Sequence, residues 1–304
     1  MTSVTARAPA KVNLELAVGS LRPDGYHDVA TAYHAISLYD EVIATAADEL
    51  SVSLSGQPGV ALDEVPVNGT NLAAAAAAAL AERVGRDPDV ALHITKSIPV
   101  AGGMAGGSAD AAAALLACST LWHTGLSRAE LAEVAATLGS DVPFSLMGGT
   151  ALGTGRGEVL SPVLARGTFS WVVAIAERGL STAEVYAECD RLRGQRRVPD
   201  PAVSDALMAA LRKGDPDTLG DALRNDLQDA ALSLRPELSD TLDTGLAAGA
   251  LGGIVSGSGP SVVLLARGPE HAIDLAVALS ATGTCRAVKR AKGPVPGARV
   301  VGDS

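Results

Sequence analysis

The sequence predicts an α+β fold with two domains. Segments that alternate apolar and polar residues are mixed with helical segments, without the regular strand–helix alternation of a doubly wound sheet. The chain has 304 residues, which is enough for two domain cores. Its character changes after Gly149, and Gly167 marks a boundary. We therefore expect an N-terminal domain over residues 1–166, a C-terminal domain over residues 167–292 and a loose tail over residues 293–304.

The first domain is predicted to begin with a half-buried strand over residues 11–18, where the period-two pattern places Lys11 and Asn13 on one face. A turn follows at residues 22–25, because proline and Asp-Gly supply turn chemistry. Further strands are predicted over residues 33–38, 40–45, 50–54, 91–96 and 150–153, with a polar loop over residues 56–66. Helices are predicted from Asn71 to residue 83, from a glycine-rich loop to residue 122, and from a capping box at Ser127 and Glu130 to residue 138.

The second domain is predicted to begin with a β-rich run over residues 169–176, followed by a helix that begins at Ser181 or Thr182. The basic, turn-rich segment over residues 191–201 indicates a solvated loop. Helices are predicted over residues 203–212, 218–223, 236–248 and 269–280. Residues 254–265 are predicted to form two strands around a glycine-rich turn, and a last strand lies near residues 286–290.

Composition excludes several classes of protein. The net charge of −10 and the pI near 5.0 argue against a nucleic-acid binder, which needs a basic face. Cys118, Cys189 and Cys285 are widely spaced, which predicts neither a disulfide framework nor a zinc site. No leader pattern begins the chain, and no apolar run is long enough to span a bilayer. We therefore expect a cytoplasmic protein without membrane contact.

The most informative segment is a glycine-rich loop over residues 99–109 that runs into an alanine-rich helix. Glycines allow the backbone to approach a ligand closely, and the helix N-terminus offers unpaired N–H groups and partial positive charge. Together these features predict an anion site, with a nucleotide phosphate as the expected anion. The alternative is a turn between a strand and a helix without a ligand.

Three other segments contain residues that could bind a ligand or take part in catalysis. Lys11 and Asn13 could hold a hydroxyl or a phosphate, or Lys11 could be an ordinary surface lysine. Tyr26 and His27 follow a turn and could bind a ligand. Alternatively, Tyr26 packs against the protein and His27 is solvated. Asp141 could accept a proton or anchor a cation, or could cap a short helix that begins with proline.

A second glycine-rich turn, over residues 252–261, repeats small residues over a longer stretch than a tight turn needs, which suggests a backbone close to a ligand. Neither glycine segment is followed by the Lys-Ser/Thr of a Walker A loop. The Rossmann fingerprint also fits poorly, because the acidic residue downstream of the first loop, Glu130, falls inside a capping box. A dehydrogenase is therefore disfavoured.

The segments Pro9-Ala-Lys-Val-Asn-Leu14, Pro99 to Ser108 and Ser256-Gly-Ser-Gly-Pro260 occur in the order typical of the GHMP kinases, and the chain resembles that family over about residues 8–266. The segments at residues 24–27 and 139–144 narrow the resemblance to members that act on cytidine diphosphate-linked methylerythritol. The resemblance implies a two-domain GHMP kinase fold with the active site in the cleft between the domains. It also implies ATP and Mg²⁺ as cofactors and phosphorylation of the 2-hydroxyl of the methylerythritol unit in the non-mevalonate isoprenoid pathway. The expected protein is a monomer or weak homodimer.

The resemblance also implies roles for individual residues. Asp141 would accept the hydroxyl proton, and Lys11 would stabilise the incipient alkoxide. The cytosine would stack on Tyr26 and Tyr186, with His27 at its edge. The acceptor would also contact Asn13, Gly257, Ser258 and Gly259. ATP would contact Asn71, Lys96, Pro99, Val100, Ala101, Gly102, Gly103, Met104, Ala105, Gly106, Gly107, Ser108 and Ala109.

The chain departs from the family pattern inside its glycine loop. Ala101 and Ala105 stand where the family has glycine, and Ala109 stands where it has serine. A methyl group is tolerated in the loop only where φ stays negative, so ATP affinity or loop rigidity is expected to differ. Gln228 replaces an acid that often follows the segment at residues 225–227. Ser108 is the candidate Mg²⁺ ligand by position, and Asp110 is left without a role.

Three alternatives remain open at the level of sequence. A nucleotide-binding regulator without turnover would keep the glycine loops and could lose Lys11 or Asp141, both of which are present. A dinucleotide oxidoreductase would bind NAD(P), which an optical titration would detect. Homoserine kinase, from the same family, is disfavoured by the segment at residues 24–27 together with Tyr186.

Overall fold

The computed structural model describes residues 2–57 and 60–302. The strands in these ranges are β1 (Ser3–Leu21), β2 (His27–Ala46), β3 (Ser51–Gly56), β4 (Val90–Lys96), β5 (Thr150–Thr154), β6 (Val159–Pro162), β7 (Phe169–Ile175), β8 (Arg224–Asn225), β9 (Gly252–Val255), β10 (Val262–Ala266), β11 (Ala287–Gly293) and β12 (Arg299–Val301). The helices are α1 (Leu72–Val84), α2 (Gly106–Leu121), α3 (Arg128–Leu138), α4 (Val142–Met147), α5 (Thr182–Arg193), α6 (Asp205–Lys213), α7 (Pro216–Asp221), α8 (Gln228–Leu234), α9 (Glu237–Ala247) and α10 (Pro269–Thr282). The expected α+β class is confirmed.

The first sheet is built on the long antiparallel pair β1 and β2, with the order β12-β1-β2-β4-β3. The strands β5 and β6 extend it beside β2, and β8 adds a short parallel pairing to β1. The alanine-rich helix α2 packs on β1 and β2, and its residues Ala111 to Ala114 are fully buried. Small side chains let this helix lie close to the sheet. The loop that precedes α2 is therefore attached to a rigid part of the core.

The second sheet has the order β11-β7-β10-β9, and its pairings are antiparallel. Every residue of β7 and β10 is buried, which explains the unbroken apolar runs in the sequence. One cluster of buried side chains includes Phe169 and Trp171 of β7 together with residues of the first sheet. The two sheets thus share a core, and the glycine turn between β9 and β10 lies beside the first sheet.

Several predicted boundaries are corrected by the structure. The strands predicted over residues 33–38 and 40–45 are one strand, β2, because a register shift at Pro9 and Ala10 of β1 absorbs the irregularity between them. The helix predicted over residues 218–223 begins earlier, at Pro216, because the side chain of Asp215 accepts a hydrogen bond from the Thr218 N–H. The sequence analysis did not anticipate β6, β8, α8 or β12.

The expectation of a loose tail is wrong for residues 293–302. The strand β12 pairs with β1 of the first sheet, and Val295 and Ala298 are buried. Arg128 donates to the Ala298 carbonyl at 2.7 Å. Partners that are distant in sequence hold this segment, so local composition does not indicate its order. Asp303 and Ser304 of the predicted tail, and Pro58 and Gly59 of the predicted polar loop, lie outside the described residues.

Candidate active site

A cavity of about 470 Å³ opens where the loop before α2, the strand β1 and the turn between β9 and β10 meet. It brings together most of the residues that the sequence analysis singled out. These are Lys11, Asn13, Asn71, Lys96, Pro99, Val100, Ala101, Gly102, Gly103, Ala105, Gly106, Gly107, Asp141, Tyr186, Gly257 and Ser258.

Lys11 and Asn13 do share one face of β1, as their spacing predicts. The Lys11 ammonium donates to Asn13 Oδ1 at 2.7 Å, and Asn13 Nδ2 donates to Thr31 Oγ1 at 2.8 Å. Both side chains are nearly buried. Because Asn13 and Thr31 fix each other, the ammonium group is held in one position at the edge of the cavity. The alternative of a freely solvated surface lysine is therefore excluded.

Asp141 stands at the N-terminus of α4, but its side chain makes no capping hydrogen bond. Its carboxylate lies 3.8 Å from the Lys11 ammonium and remains about a quarter exposed, at 26%. Tyr33, which the sequence analysis missed, lies beside this pair. Burial and the nearby Asp141 carboxylate raise the pKa of Tyr33 well above its ordinary value. The geometry thus favours a carboxylate that faces the cavity over a helix cap.

Lys96 lies at the end of β4 between two buried carboxylates. Its ammonium donates to Asp40 and, at 2.6 Å, to Asp110 Oδ2. Burial lowers the pKa of Lys96, but the two carboxylates raise it by more. Burial and the charge of Asp40 raise the pKa of Asp110 well above its ordinary value, and Lys96 offsets only part of this. Asp110 Oδ1 has no hydrogen-bond partner among the described residues.

Asp40 also fixes the start of the glycine loop. Its Oδ1 accepts the N–H groups of Ser97 and Ile98, at 2.5 and 2.8 Å. The loop then passes directly over the ammonium of Lys96, because a Cβ at Gly106 would lie 3.3 Å from it. The loop is therefore anchored by a buried ion-paired cluster beneath it, a feature that local sequence did not reveal.

The loop itself corrects one expectation. The sequence analysis held that a methyl group is tolerated in the loop only at negative φ, but the φ angles of Ala101 and Ala105 are +50° and +58°. Ala105 is the N-cap residue of α2 and supplies no side-chain hydrogen bond, so the first N–H groups of the helix have no side-chain cap. Such a terminus is suited to binding an anion.

The second glycine turn approaches the same point from the other sheet. A Cβ at Gly257 would lie 3.2 Å from Asn13 Oδ1 and 3.3 Å from the Lys11 ammonium. Asn225 holds this turn, because its amide donates to the carbonyls of Val255 and Gly257 at 2.8 and 2.7 Å. The repeated glycines therefore do mark a close approach of backbone to the site.

A second cavity, of about 800 Å³, adjoins the first and contains Tyr26, His27 and Tyr186. Tyr26 is 54% exposed, whereas His27 is buried and its ring lies 5.0 Å from that of Tyr186. His27 Nε2 lies 3.0 Å from a carboxylate oxygen of Asp190, which the sequence analysis did not consider. Burial and the charge of Asp141 raise the pKa of Tyr186 to about 12. We refer to this space as the tyrosine cavity.

Some predicted residues occupy other positions. Met104 and Ala109 belong to the buried core, because their side chains turn away from the loop surface. Gly259 packs against Val255, and Ser108 does not line the cavity. Asn71 does line it, but its side-chain oxygen caps α1 and its amide donates to the Pro66 carbonyl, so both polar ends are occupied.

Known proteins resemble the chain over both halves. A family model described as GHMP kinases N terminal domain matches residues 71–149, and one described as GHMP kinases C terminal matches residues 207–285. A 4-diphosphocytidyl-2-C-methyl-D-erythritol kinase of Streptomyces avermitilis is 60% identical over 299 residues, which cover 98% of this chain and 100% of the relative. The chain belongs to the GHMP kinase family. A Mycobacterium tuberculosis relative with the same name is 55% identical over 98% of this chain and 93% of its own.

Solved structures of GHMP kinases share the fold. A crystal structure of 4-(cytidine 5'-diphospho)-2C-methyl-D-erythritol kinase has a TM-score of 0.76 and 35% identity, covering 95% of this chain and 98% of the other. Mevalonate kinase of L. major has a TM-score of 0.75 but 18% identity over 97% of this chain and 96% of its own, so it supports the fold alone. No helix within residues 2–57 and 60–302 is long and apolar enough to cross a membrane.

Proposed function

We propose that this GHMP kinase transfers the γ-phosphoryl group of ATP to the 2-hydroxyl of 4-diphosphocytidyl-2-C-methyl-D-erythritol, a step in non-mevalonate isoprenoid formation. The observation that carries this proposal is the pair formed by Lys11 and Asp141, 3.8 Å apart in the cavity that joins the glycine loop to the tyrosine cavity. The names of the relatives, at 60% and 55% identity, support the choice of acceptor.

Phosphoryl transfer depends mainly on positioning and on neutralising charge. The uncapped N-terminus of α2 and the glycine loop bind the triphosphate, with the γ-phosphate directed towards Lys11. The Asp141 carboxylate accepts the proton of the acceptor hydroxyl, and the Lys11 ammonium stabilises the alkoxide as it forms. Asn13 holds that ammonium in place through its 2.7 Å hydrogen bond.

The residues present also suit Mg²⁺ held largely by nucleotide phosphates. Among the described residues, no group of three or more His, Cys, Asp or Glu side chains is arranged to hold a metal ion. Mg²⁺ commonly uses few protein ligands and keeps substrate phosphates and water as the others. The hydroxyl of Ser108, in the first turn of α2, is the proposed protein contact, and the ion would neutralise charge on the phosphates.

The tyrosine cavity supplies the proposed cytosine site. The exposed Tyr26 and the partly buried Tyr186 both line it, and two aromatic rings in one cavity can stack on a flat base. His27 is fixed by Asp190 and Tyr186, so it presents a defined edge to the base. All of these groups come from one chain, which is compatible with the proposed monomer or weak homodimer.

The experiment that tests the proposal follows ADP release with ATP, Mg²⁺ and 4-diphosphocytidyl-2-C-methyl-D-erythritol, with homoserine and mevalonate as controls. We expect turnover with the cytidine compound alone. Turnover of homoserine or mevalonate instead would retain the kinase and reject the acceptor. Inactivity with all three, together with ATP binding by calorimetry, would favour a nucleotide-binding regulator, and NAD(P) binding would favour an oxidoreductase.

A further inference from the structure

The boundary between the two cavities is lined by few residues. Those that line both are Val29, Ser140, Arg156, Thr182 and Tyr186. Among the described residues, Arg156 is therefore the one cationic side chain shared by the two spaces. Sequence analysis assigned it no role, although it stands between two glycines in Gly155-Arg-Gly157.

The backbone that carries Arg156 is fixed. It lies in the turn between β5 and β6, where Gly155 and Gly157 have φ angles of +73° and +104°. The Val29 N–H donates to the Gly155 carbonyl at 2.7 Å, which ties the turn to β2. A Cβ at Gly157 would collide with the Tyr33 hydroxyl, so the turn packs directly against the side chain beside Asp141.

The side chain of Arg156, in contrast, is half exposed, at 49%, and weakly engaged. Its Nε lies 4.0 Å from a carboxylate oxygen of Glu158, which is too long for a hydrogen bond. The guanidinium carbon lies 5.1 Å from the centre of the Tyr26 ring. A fixed backbone with an uncommitted guanidinium at a boundary between two cavities suggests a ligand-binding group.

The chemistry of the ligand follows from the proposed function, on which this inference rests. The acceptor has a cytosine at one end, a polyol at the other and a diphosphate between them. If the base occupies the tyrosine cavity and the 2-hydroxyl reaches Lys11 and Asp141, the negative diphosphate crosses the boundary. We propose that Arg156 binds this diphosphate and so sets the specificity for nucleoside diphosphate-linked acceptors. The planar fork of arginine is suited to two phosphate oxygens at once.

The test compares binding of CDP and cytidine by calorimetry in wild type, Arg156→Gln and Arg156→Lys. We expect the preference of the wild type for CDP over cytidine to fall about tenfold in Arg156→Gln, with cytidine affinity nearly unchanged. Arg156→Lys should retain part of the preference. With the full acceptor, Arg156→Gln should raise KM for the acceptor and leave KM for ATP unchanged.

Two further variants separate the explanations. Tyr26→Ala should weaken CDP and cytidine alike, because it removes stacking from both. Arg196→Gln removes an exposed positive charge away from both cavities and should bind both ligands like the wild type. An equal loss of CDP and cytidine affinity in Arg156→Gln would show that Arg156 acts through the Tyr26 ring and would overturn the inference.

The wild type decides the remaining case. If it turns over the cytidine acceptor but Arg156→Gln keeps the full preference for CDP, the inference alone is overturned. If the wild type neither binds CDP nor phosphorylates the acceptor, the proposed function fails, and the inference fails with it.

Discussion

Lys11 and Lys96 line one cavity, yet their ammonium groups have different surroundings. Lys96 is enclosed by two buried carboxylates, those of Asp40 and Asp110. Lys11 donates to the neutral amide of Asn13, and its nearest carboxylate, on Asp141, is 3.8 Å away and partly exposed. The positive charge of Lys96 is therefore neutralised within the protein, whereas that of Lys11 remains available to a ligand.

This difference separates two uses of buried charge. The Lys96 cluster anchors the start of the glycine loop, because Asp40 also binds the N–H groups of Ser97 and Ile98. The Lys11 group faces the place where the glycine loop and the turn at Gly257 meet. One lysine thus stabilises the scaffold, and the other is positioned for chemistry.

The largest effect is expected from Asp141→Asn, which alters the environment of Lys11 and leaves that of Lys96 intact. Loss of the proton acceptor should lower kcat by roughly 10²–10⁴-fold. ATP affinity should remain close to that of the wild type, because the glycine loop is unchanged. ADP release gives kcat, and calorimetry gives the affinity.

The matched control for this variant is Asp87→Asn, which removes an exposed carboxylate after α1. It should match the wild type in both measurements. If Asp141→Asn instead lost ATP binding together with turnover, Asp141 would hold the metal or the structure, and the proposed role as proton acceptor would be rejected.

A second test exchanges each lysine for methionine and measures unfolding in urea. Lys96→Met leaves Asp40 and Asp110 buried without their counter-charge and should cost about 3–5 kcal/mol of unfolding free energy. Lys11→Met leaves one amide oxygen without its donor and should cost about 1 kcal/mol, while turnover is lost.

The double variant Lys96→Met/Asp110→Asn provides a check, because it removes one of the two uncompensated carboxylates. It should recover part of the stability lost in Lys96→Met. Equal losses in the two single lysine variants, or no recovery in the double variant, would contradict the distinction between a scaffold lysine and a ligand-binding lysine.

The same cluster predicts how stability depends on pH. Because the pKa of folded Asp110 is raised, the unfolded carboxyl releases its proton first as pH rises above its ordinary value of 3.8. The native state then binds more protons than the unfolded state, so rising pH lowers the stability of the wild type. Asp110→Asn has no titrating carboxyl at this position, and its amide oxygen can still accept a hydrogen bond from Lys96. Its stability relative to the wild type should therefore rise as the pH increases above about 4.

Unfolding midpoints at several pH values in this range measure that difference. Burial also lowers the pKa of His34 to about 3, but this contribution is common to both proteins and cancels in the difference. Asp87→Asn, which removes an exposed carboxylate far from this cluster in the sequence, serves as the control. A flat or falling difference for Asp110→Asn would show that Lys96 outweighs burial and Asp40 at this carboxyl.

Sequence reasoning succeeded where the determining interactions are local. The capping box of Ser127 and Glu130, the cap at Asn71, and the shared face of Lys11 and Asn13 follow from spacings of a few residues. The resemblance to the GHMP kinases further predicted that these segments meet at one site. Partners from distant strands were not accessible in this way: nothing near Lys96 indicates that Asp40 reaches it from 56 residues away.

The same limit explains the errors. The final strand β12 is ordered by β1, and His27 is fixed by Asp190, 163 residues away. Arg156 carried a local signal, since glycines flank it, but its place between two cavities depends on the packing of the turn against β2. The positive φ angles of Ala101 and Ala105 were not predicted for another reason: the loop conformation overrides the preference of alanine for negative φ.

The smallest effect concerns Ala105, which lies in the glycine loop whose residues contact both Lys11 and Lys96. The adjacent Met104 carbonyl accepts the Lys11 N–H at 3.2 Å, and Gly106 passes over Lys96. At a φ of +58°, an alanine costs about 1–2 kcal/mol, whereas Ala105→Gly relieves this but adds about 0.4–1 kcal/mol of unfolded-state entropy. The variant should therefore gain between about zero and about 1.5 kcal/mol of stability. Ala209→Gly, on the exposed face of α6, should instead lose about 1 kcal/mol. Urea unfolding of both variants measures the contrast, and a similar loss at both positions would show that the loop carries no strain at Ala105.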